Sequence, residues 1–435
     1  MEASYRQIWR IAWPIIGASL AQNAVSLIDT AFLGFIGQVE LAAGGIGVLF
    51  FLTIGFIGLG ISTGVQVLTA QLLGSGESER LGSLLRQSLW ISAFVGAGLS
   101  FGLAYTAPFF VRALLHEPET INSTTYFLRG RSLELFPLML FGALRGYYSG
   151  TAQTSYILRA NLILASTNLL INILFVIGLG WGMKGVIAGS VLSQYIATTY
   201  LFVSLRQQRY NLSSKSEGWW LLPLMRYAGP AILQNLVGMV GWVVFFLLIE
   251  RRGQFALASA NIIRSLYSFS MLPTWGFATA VGTLTGYFWG AKDRKGLIQT
   301  LRRAFFLSQG LNTAIALMLA AFAPLWVQLF TRDPAIQAQA ARDLPMIALS
   351  VFIMPASAVL LFAVVGVGEV FLAFLVEVGV IIVYVSYALW IDSLQVSLTW
   401  MWSTEWTYWI PSAIILFVLW WRRVKKVNIL ALALS

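Results

Sequence analysis

The sequence predicts an all-α polytopic membrane protein with twelve transmembrane helices, arranged as two six-helix bundles related by a parallel internal repeat. Of the 435 residues, 58% are hydrophobic and only 10% are charged, whereas soluble domains carry about 25% charged residues. Apolar runs recur along the whole chain, most of them long enough to cross a hydrocarbon core of roughly 30 Å. The second half of the chain also repeats the first at a fixed offset.

The composition excludes several classes of protein. There is no cysteine and only one histidine, His116, so neither a disulfide framework nor a thiolate or histidine metal site can form. We expect His116 to be solvated in an outer loop. The net charge of +11 comes from basic residues at the ends of apolar runs, where they contact the cytoplasmic leaflet, so no nucleic-acid partner is expected. No catalytic constellation is visible, and we expect neither an enzyme nor a cofactor.

The predicted spans are runs of mostly apolar residues bounded by charged or turn-forming residues. They cover residues 11–34, 44–72, 88–112, 128–150, 157–178, 184–204, 222–249, 255–284, 300–325, 343–366, 370–391 and 406–421. An even number of spans places both termini on the same side of the membrane.

The distribution of basic residues orients these spans. The termini and even-numbered loops hold 19 lysines and arginines, the odd-numbered loops hold 8, and Arg264 lies inside a span. Because cytoplasmic loops carry the excess of basic residues, we expect both termini in the cytoplasm and the protein in the inner membrane.

A shift of 216 residues superimposes the two halves of the chain. Residues 10–92 then lie on residues 226–308 without a gap, and 20 of 83 positions are identical, including Pro14 with Pro230 and Gly74 with Gly290. Six spans separate the copies, so both run in the same direction, as in parallel-repeat transporters. We expect bundles at residues 1–205 and 219–435, joined by a polar cytoplasmic linker at 206–218.

Asp29 is the one charged residue between Arg10 and Glu40 in the first span. A carboxylate inside a membrane helix costs about 2.5 kcal/mol or more and usually faces a cavity or a partner. A capped structural acid and a coupling or substrate carboxylate both fit this pattern. The shift of 216 places Phe245 at the equivalent position, which disfavours a symmetric structural role.

Two asparagines and a serine are predicted at the depth of Asp29. Asn168 and Asn172 are four residues apart in the fifth span and share a helix face, and Ser190 lies near the outer end of the sixth span. A carboxylate with amide and hydroxyl oxygens suits a proton relay or a small hard cation. Interhelical hydrogen bonding is the structural alternative.

These features together resemble the multidrug and toxic compound extrusion (MATE) transporters, and the DinF-like branch most closely. The resemblance covers nearly the whole chain. It rests on Pro14 and Asp29, the FLG and LAA stretches that follow, the Gly74 and Gly290 loops, the Arg145-Gly146 pair, the run 168–178 and the twelve-helix repeat.

The resemblance implies an outward-pumping antiporter whose cation site is formed here by Asp29, Asn168, Asn172 and Ser190. These four residues would be metal ligands only if the coupling ion is Na⁺. The branch typically has aspartate at the position of Asn172 and often threonine at that of Ser190. Since an asparagine cannot take up a proton, Asp29 carries the coupling alone, or the ion or the handling of substrate differs.

The second bundle has its own intramembrane charges, Arg264 and Glu377. Each needs a partner, and a structural ion pair between them is the favoured interpretation, with a second coupling or substrate site as the alternative. Glu134, Glu369 and Glu405 lie near span ends and are expected at the membrane interface.

The sequence thus predicts a monomeric exporter that exchanges H⁺ or Na⁺ for an amphipathic, cationic small molecule and contacts membrane lipids. Gln22, Asn23, Asp29 and Asn168 would line the substrate cavity. A flippase for a lipid-linked precursor is the alternative, but it would need more helices and a cationic cavity. A membrane-embedded enzyme would need a catalytic group that the sequence lacks.

Overall fold

A computed structural model describes residues 1–207 and 218–432, with side chains as far as Lys425. Seven α-helices form the first half of the described chain. They are α1 (Tyr5–Ile36), α2 (Gln38–Gly74), α3 (Leu81–Leu114), α4 (Pro118–Arg131), α5 (Leu135–Gly150), α6 (Ser155–Asn172) and α7 (Met183–Ser204). A π-helical turn, Ile173–Gly178, prolongs α6, and a 3-10 turn, Ser132–Glu134, joins α4 to α5.

Eight further α-helices follow. They are α8 (Leu221–Glu250), α9 (Gln254–Gly290), α10 (Arg294–Ala321), α11 (Ala323–Gln328), α12 (Pro334–Gly366), α13 (Val370–Ser393), α14 (Leu398–Met401) and α15 (Thr404–Leu432). Ten predicted spans fall on one helix, with the π-helical turn in the case of α6. The span 128–150 runs from the end of α4 into α5, and the span 300–325 runs from α10 into α11.

The helices confirm the predicted fold class. Within residues 1–207 and 218–432, nine helices are long and apolar enough to cross a membrane by themselves. The predicted spans on α5, α9 and α15 are the three outside that set, and α5 has only 16 residues. With these three, the chain has the twelve transmembrane helices expected from the sequence.

The internal repeat is visible in the helix boundaries. Adding 216 to the bounds of α2, Gln38–Gly74, gives those of α9, Gln254–Gly290. Adding 216 to residues 118–150, which hold α4 and α5, gives those of α12, Pro334–Gly366. The first copy is interrupted by the 3-10 turn Ser132–Glu134, whereas α12 continues without a break.

The structure consists of two compact units whose boundaries differ from those predicted for the bundles. One unit holds Gly17–Ile232, and the other holds Met1–Ile16 with Leu233–Ser435. The two crossing points differ by 216 residues, so each unit includes the first half of a helix that continues in the other. The predicted boundary at 206–218 stays a prediction, and residues 208–217 of that linker lie outside the described part of the chain.

Within the unit Gly17–Ile232, α5 packs closely on α2 through glycines spaced four residues apart. A Cβ atom on Gly142, Gly146 or Gly150 would lie within 3.0 Å of the backbone oxygen of Gly58, Ser62 or Gln66 respectively. Small residues at this spacing let helix backbones approach in membranes, where van der Waals contact replaces the hydrophobic effect as the driving force.

Gly146→Ala should therefore destabilise the protein by about 1–3 kcal/mol, the usual cost of overpacking a tight contact. The measurement is the melting temperature of the purified protein in detergent. Gly98→Ala is the matched control, since nothing lies within 4 Å of a Cβ at that exposed helical position. Equal melting temperatures for the two variants would contradict this account of the α2–α5 contact.

Candidate functional site

The carboxylate of Asp29 lies inside the first bundle, where the side chain is 3% exposed. Two amides of α6 donate hydrogen bonds to its Oδ1 atom, Asn168 Nδ2 at 3.0 Å and Asn172 Nδ2 at 3.2 Å. Asn172 Nδ2 also lies 3.3 Å from Asn168 Oδ1. The four-residue spacing on one helix face thus directs both amides at a single carboxylate oxygen.

Ser190 of α7 completes the predicted set. Its hydroxyl donates to Asp29 Oδ2 at 2.7 Å, and the backbone oxygen of Val186 offers the same hydroxyl a second acceptor at 3.1 Å. The preceding residue, Gly189, contacts Asn172 so closely that a Cβ atom would collide with Asn172 Oδ1. Glycine at this position lets α7 approach α6 near the carboxylate.

Arg131 adds a cation that the sequence analysis did not place at the site. Its Nη1 atom lies 3.3 Å from Asp29 Oδ2, and its Nε and Nη2 atoms lie 2.8 Å and 2.7 Å from Glu134 Oε2. The guanidinium also stacks over the rings of Phe51 and Phe127, at 4.7 Å and 5.6 Å from the centroids. The guanidinium therefore bridges two buried carboxylates.

The expectation that Glu134 lies at the membrane interface is wrong, because its side chain is buried against Arg131. Arg131 is one of the eight basic residues counted for the odd-numbered loops and their helix ends, because it stands at the edge of an apolar run. The signal that could have found the pair is the three-residue spacing of Arg131 and Glu134, together with the need of Asp29 for a partner.

The charges of this group do not cancel. Asp29 and Glu134 contribute two carboxylates and Arg131 one guanidinium, so the group has a net charge of −1 when both acids are ionised. The remaining partners are neutral. A buried group with one uncompensated negative charge can take up one monovalent cation or one proton.

The structure brings Asp29, Asn168, Asn172 and Ser190 into one hydrogen-bonded group, but not Gln22 and Asn23. Both of the latter side chains are exposed, and Asn23 donates to the backbone oxygen of Ser19. Gln22 lies seven residues before Asp29 and so near the same helix face. The predicted substrate cavity stays a prediction.

The expected ion pair between Arg264 and Glu377 is absent from the described residues. Glu377 accepts from the hydroxyl of Tyr408, at 2.9 Å and 3.0 Å from its two oxygens. Arg264 is exposed and lies over the ring of Phe246, 5.2 Å from its centroid. Aromatic partners thus replace the charge pair for both residues.

Glu405 is buried as well, against the interfacial position expected from the sequence. Its oxygens accept from Tyr267 at 2.9 Å and from Tyr384 at 3.3 Å, and the Tyr267 hydroxyl accepts from Trp409 Nε1 at 2.7 Å. Neither Glu405 nor Glu377 forms an ion pair among the described residues. Tyrosine hydroxyls therefore hold both Glu405 and Glu377 in place of a cation.

Two six-helix repeats that run in the same direction, each with buried acids held by hydrogen bonds, are the architecture of a multi-pass membrane transporter. A family model, MatE, matches residues 14–174 and again residues 230–390. The two matches are offset by 216 residues, the offset of the internal repeat. The chain belongs to the MatE family.

Curated relatives of this chain are multidrug resistance proteins named NorM. The chain is 31% identical to a probable NorM of Synechocystis over 250 residues. This aligned region covers 55% of this chain and 52% of that protein. The chain is 29% identical over 330 residues to a probable NorM of Deinococcus radiodurans, covering 73% and 70% respectively. These relatives do not single out the DinF-like branch, which stays a prediction.

Solved MATE transporters share the fold. A MATE protein in the straight conformation matches with a TM-score of 0.92 at 18% identity, covering 98% of this chain and 97% of that one. The Vibrio cholerae MATE transporter VcmN in its bent form matches with a TM-score of 0.88 at 16% identity, covering 98% of both chains. At these identities the likeness supports the fold alone.

The tyrosine network of the second bundle leads to a stability prediction. Tyr267→Phe should lower the free energy of unfolding by about 1–3 kcal/mol, because it removes the hydroxyl that accepts from the buried Trp409 Nε1 and donates to Glu405. Thermal unfolding in detergent measures the change.

The matched control is Tyr387→Phe. Its hydroxyl contacts Ser403 Oγ at 3.0 Å, and Ser403 also donates to the backbone oxygen of Trp400, so a smaller loss is expected. A Tyr267→Phe protein as stable as this control would show that the network contributes little to stability.

Proposed function

We propose that this protein is a secondary active antiporter that exports amphipathic, cationic organic compounds in exchange for H⁺ or Na⁺. The observation that carries the proposal is the buried Asp29 group with its net negative charge. The equivalent positions of the second repeat hold Phe245, Ile347 and Ser350 in place of Asp29, Arg131 and Glu134. The second repeat thus forms the corresponding helices without these charges, which points to a role for them in transport.

The names of the relatives support the direction and the cargo. They are called multidrug resistance proteins, which fits export of several organic compounds. The excess of lysines and arginines at the termini and in the even-numbered loops favours an inner-membrane protein with both termini in the cytoplasm. We further propose that the protein works as a monomer in contact with membrane lipids and needs no cofactor.

The mechanism that we propose uses Asp29 as the ion-binding group. The ion enters from the outside and binds to Asp29 beside Asn168, Asn172 and Ser190. Substrate competes for the same bundle, in a cavity lined by Gln22, Asn23 and the Asn168 face. Each ligand shifts the population of conformations toward the state that it binds better, and rocking of the two bundles provides alternating access.

A flippase for a lipid-linked precursor is not favoured. Such a protein needs unpaired cations for phosphate groups, whereas the buried Arg131 already contacts two carboxylates.

Replacing Asp29 with asparagine should abolish export while leaving the fold intact. The substitution preserves shape but removes the charge to which four donors are directed, and Arg131 keeps Glu134 as its partner. The measurement is accumulation of the fluorescent cation ethidium in cells that lack their own exporters, alongside the melting temperature of the purified variant.

Asp392→Asn is the matched control. Asp392 is also an ion-paired acid, held at 2.6 Å by Arg252 in the other unit, and its loss should leave export unchanged. Full export by a well-folded Asp29→Asn protein would exclude Asp29 as the coupling residue.

Asn172→Asp should shift export toward higher pH, or raise the affinity for Na⁺ if that is the coupling ion. The substitution puts a second carboxylate where Asn172 Nδ2 now lies 3.2 Å from Asp29 Oδ1. Two carboxylates at this distance titrate as a coupled pair, and one proton is retained to higher pH.

Ethidium transport against external pH, with and without Na⁺, tests this prediction. Identical curves for both proteins would mean that Asn172 takes no part in ion binding.

A further inference from the structure

Among the described residues, each polar partner of the Asp29 carboxylate directs a hydrogen-bond donor at it. Oδ1 receives the amides of Asn168 and Asn172, and Oδ2 receives the Ser190 hydroxyl. The Arg131 guanidinium is the fourth donor, also at Oδ2. Four donors fill the roughly four acceptor positions of an ionised carboxylate. A metal ion needs oxygen ligands instead, so it would have to displace donors and turn both amides.

Arg131 presents the stronger obstacle to a metal ion. Its positive charge lies 3.3 Å from Asp29 Oδ2, inside a buried site where charges are weakly screened. The guanidinium cannot easily withdraw, because Glu134 holds it through two nitrogens and two aromatic rings stack on it. A cation at Asp29 would therefore sit beside a fixed cation.

The Arg131 charge also opposes a proton, but a proton needs neither a shell of oxygen ligands nor room beside the guanidinium. Ser190 Oγ lies 2.7 Å from Asp29 Oδ2 and 3.1 Å from the Val186 backbone oxygen. When Oδ2 is protonated, the serine hydroxyl can turn to Val186 and accept the new O–H on its free lone pair. Arg131 then keeps its bonds to Glu134, which makes a neutral pair. The existing side chains thus satisfy both states of the carboxylate.

The three charged residues also behave as a set across the repeat. Asp29, Arg131 and Glu134 correspond to Phe245, Ile347 and Ser350, so all three charges are missing together in the second bundle. The 3-10 turn Ser132–Glu134 interrupts the helix in the first copy, and α12 is continuous at the equivalent residues. The interruption and the charges occur together.

We propose that Arg131, anchored by Glu134, is the residue that makes the Asp29 site select a proton over Na⁺. The inference rests on the antiport function proposed above. The charged groups of the set are Asp29 on α1, Arg131 on α4 and Glu134 in the turn after it. The groups that face them from α2, α6 and α7 are neutral: Phe51, Asn168, Asn172 and Ser190.

The first experiment uses the purified full chain in liposomes, with ethidium as the probe. A pH gradient in sodium-free potassium buffer should drive ethidium transport. A Na⁺ gradient at equal pH, with a protonophore present, should drive none. Transport driven by Na⁺ would overturn the inference but leave the antiport function standing, whereas no transport under either gradient would contradict the antiport function.

A second measurement decides the ion without transport. A ligand that binds the folded state raises its melting temperature. The melting temperature of the wild-type protein should be the same in sodium chloride and potassium chloride at equal ionic strength, and it should change with pH. Stabilisation by Na⁺ would overturn the inference.

Arg131→Gln tests the residue itself. Removing the guanidinium should make the melting temperature sensitive to Na⁺ and move the pH of half-maximal transport upward by about one unit, the size of one lost charge-assisted contact. Arg129→Gln is the matched control, since Arg129 is exposed on the same helix and donates to the Ala104 backbone oxygen. It should behave as the wild-type protein does.

Glu134→Gln keeps the test decisive if Arg131→Gln does not fold. With Glu134 neutral, Asp29 is the one carboxylate that still pairs with Arg131. Protonation of Asp29 then leaves Arg131 without an ionised partner, so it becomes less favourable. The pH of half-maximal transport should then fall by about one unit, and Na⁺ should still have no effect. Wild-type responses of Arg131→Gln to both pH and Na⁺ would overturn the role of Arg131. If that variant does not fold, a wild-type pH response of Glu134→Gln would overturn it.

Discussion

Four hydrogen-bond donors converge on the Asp29 carboxylate, and the packing of the first bundle depends on that convergence. The donors come from α4, α6 and α7, so a single side chain of α1 contacts three other helices. No water in the lipid core could replace a missing donor. The close approach at Gly189 and the aromatic rings beside Arg131 hold these helices where the donors reach the carboxylate.

The second bundle uses the same scaffold with different polar chemistry. The position equivalent to Asn168 holds Tyr384, which donates to Glu405 rather than to an acid on the first helix of its repeat. Phe245 occupies the position of Asp29 and packs on the ring of Trp402, 4.7 Å between centroids. The donors to Asp29 are thus amides, a hydroxyl and a guanidinium, whereas those to Glu405 are phenols.

The sequence predicted the fold well because hydrophobic length and the 216-residue offset are properties of the chain itself. The grouping of Asp29 with Asn168, Asn172 and Ser190 was also predictable, since depth along a helix follows from a rise of about 1.5 Å per residue. Arg131 and Glu134 were missed because charges at the edge of an apolar run resemble loop residues. Arg264 and Glu377 failed to pair because aromatic side chains, which composition does not place, partner each of them.

The chain passes from one unit to the other within α1 and again within α8, and this has a consequence for biosynthesis. Residues 1–16 are synthesised well before the rest of their unit, which is completed only by Leu233–Ser435. The unit that begins at Gly17 likewise waits for the start of α8, because that unit extends to Ile232. Domains generally fold in the order of their synthesis, yet here residues 1–16 must wait for a part of the chain that begins more than 200 residues later. The nascent chain must therefore hold residues 1–16 unassembled at least until Leu233 has been made. Two fragments cut between the bundles would each lack a helical segment that only the other can supply.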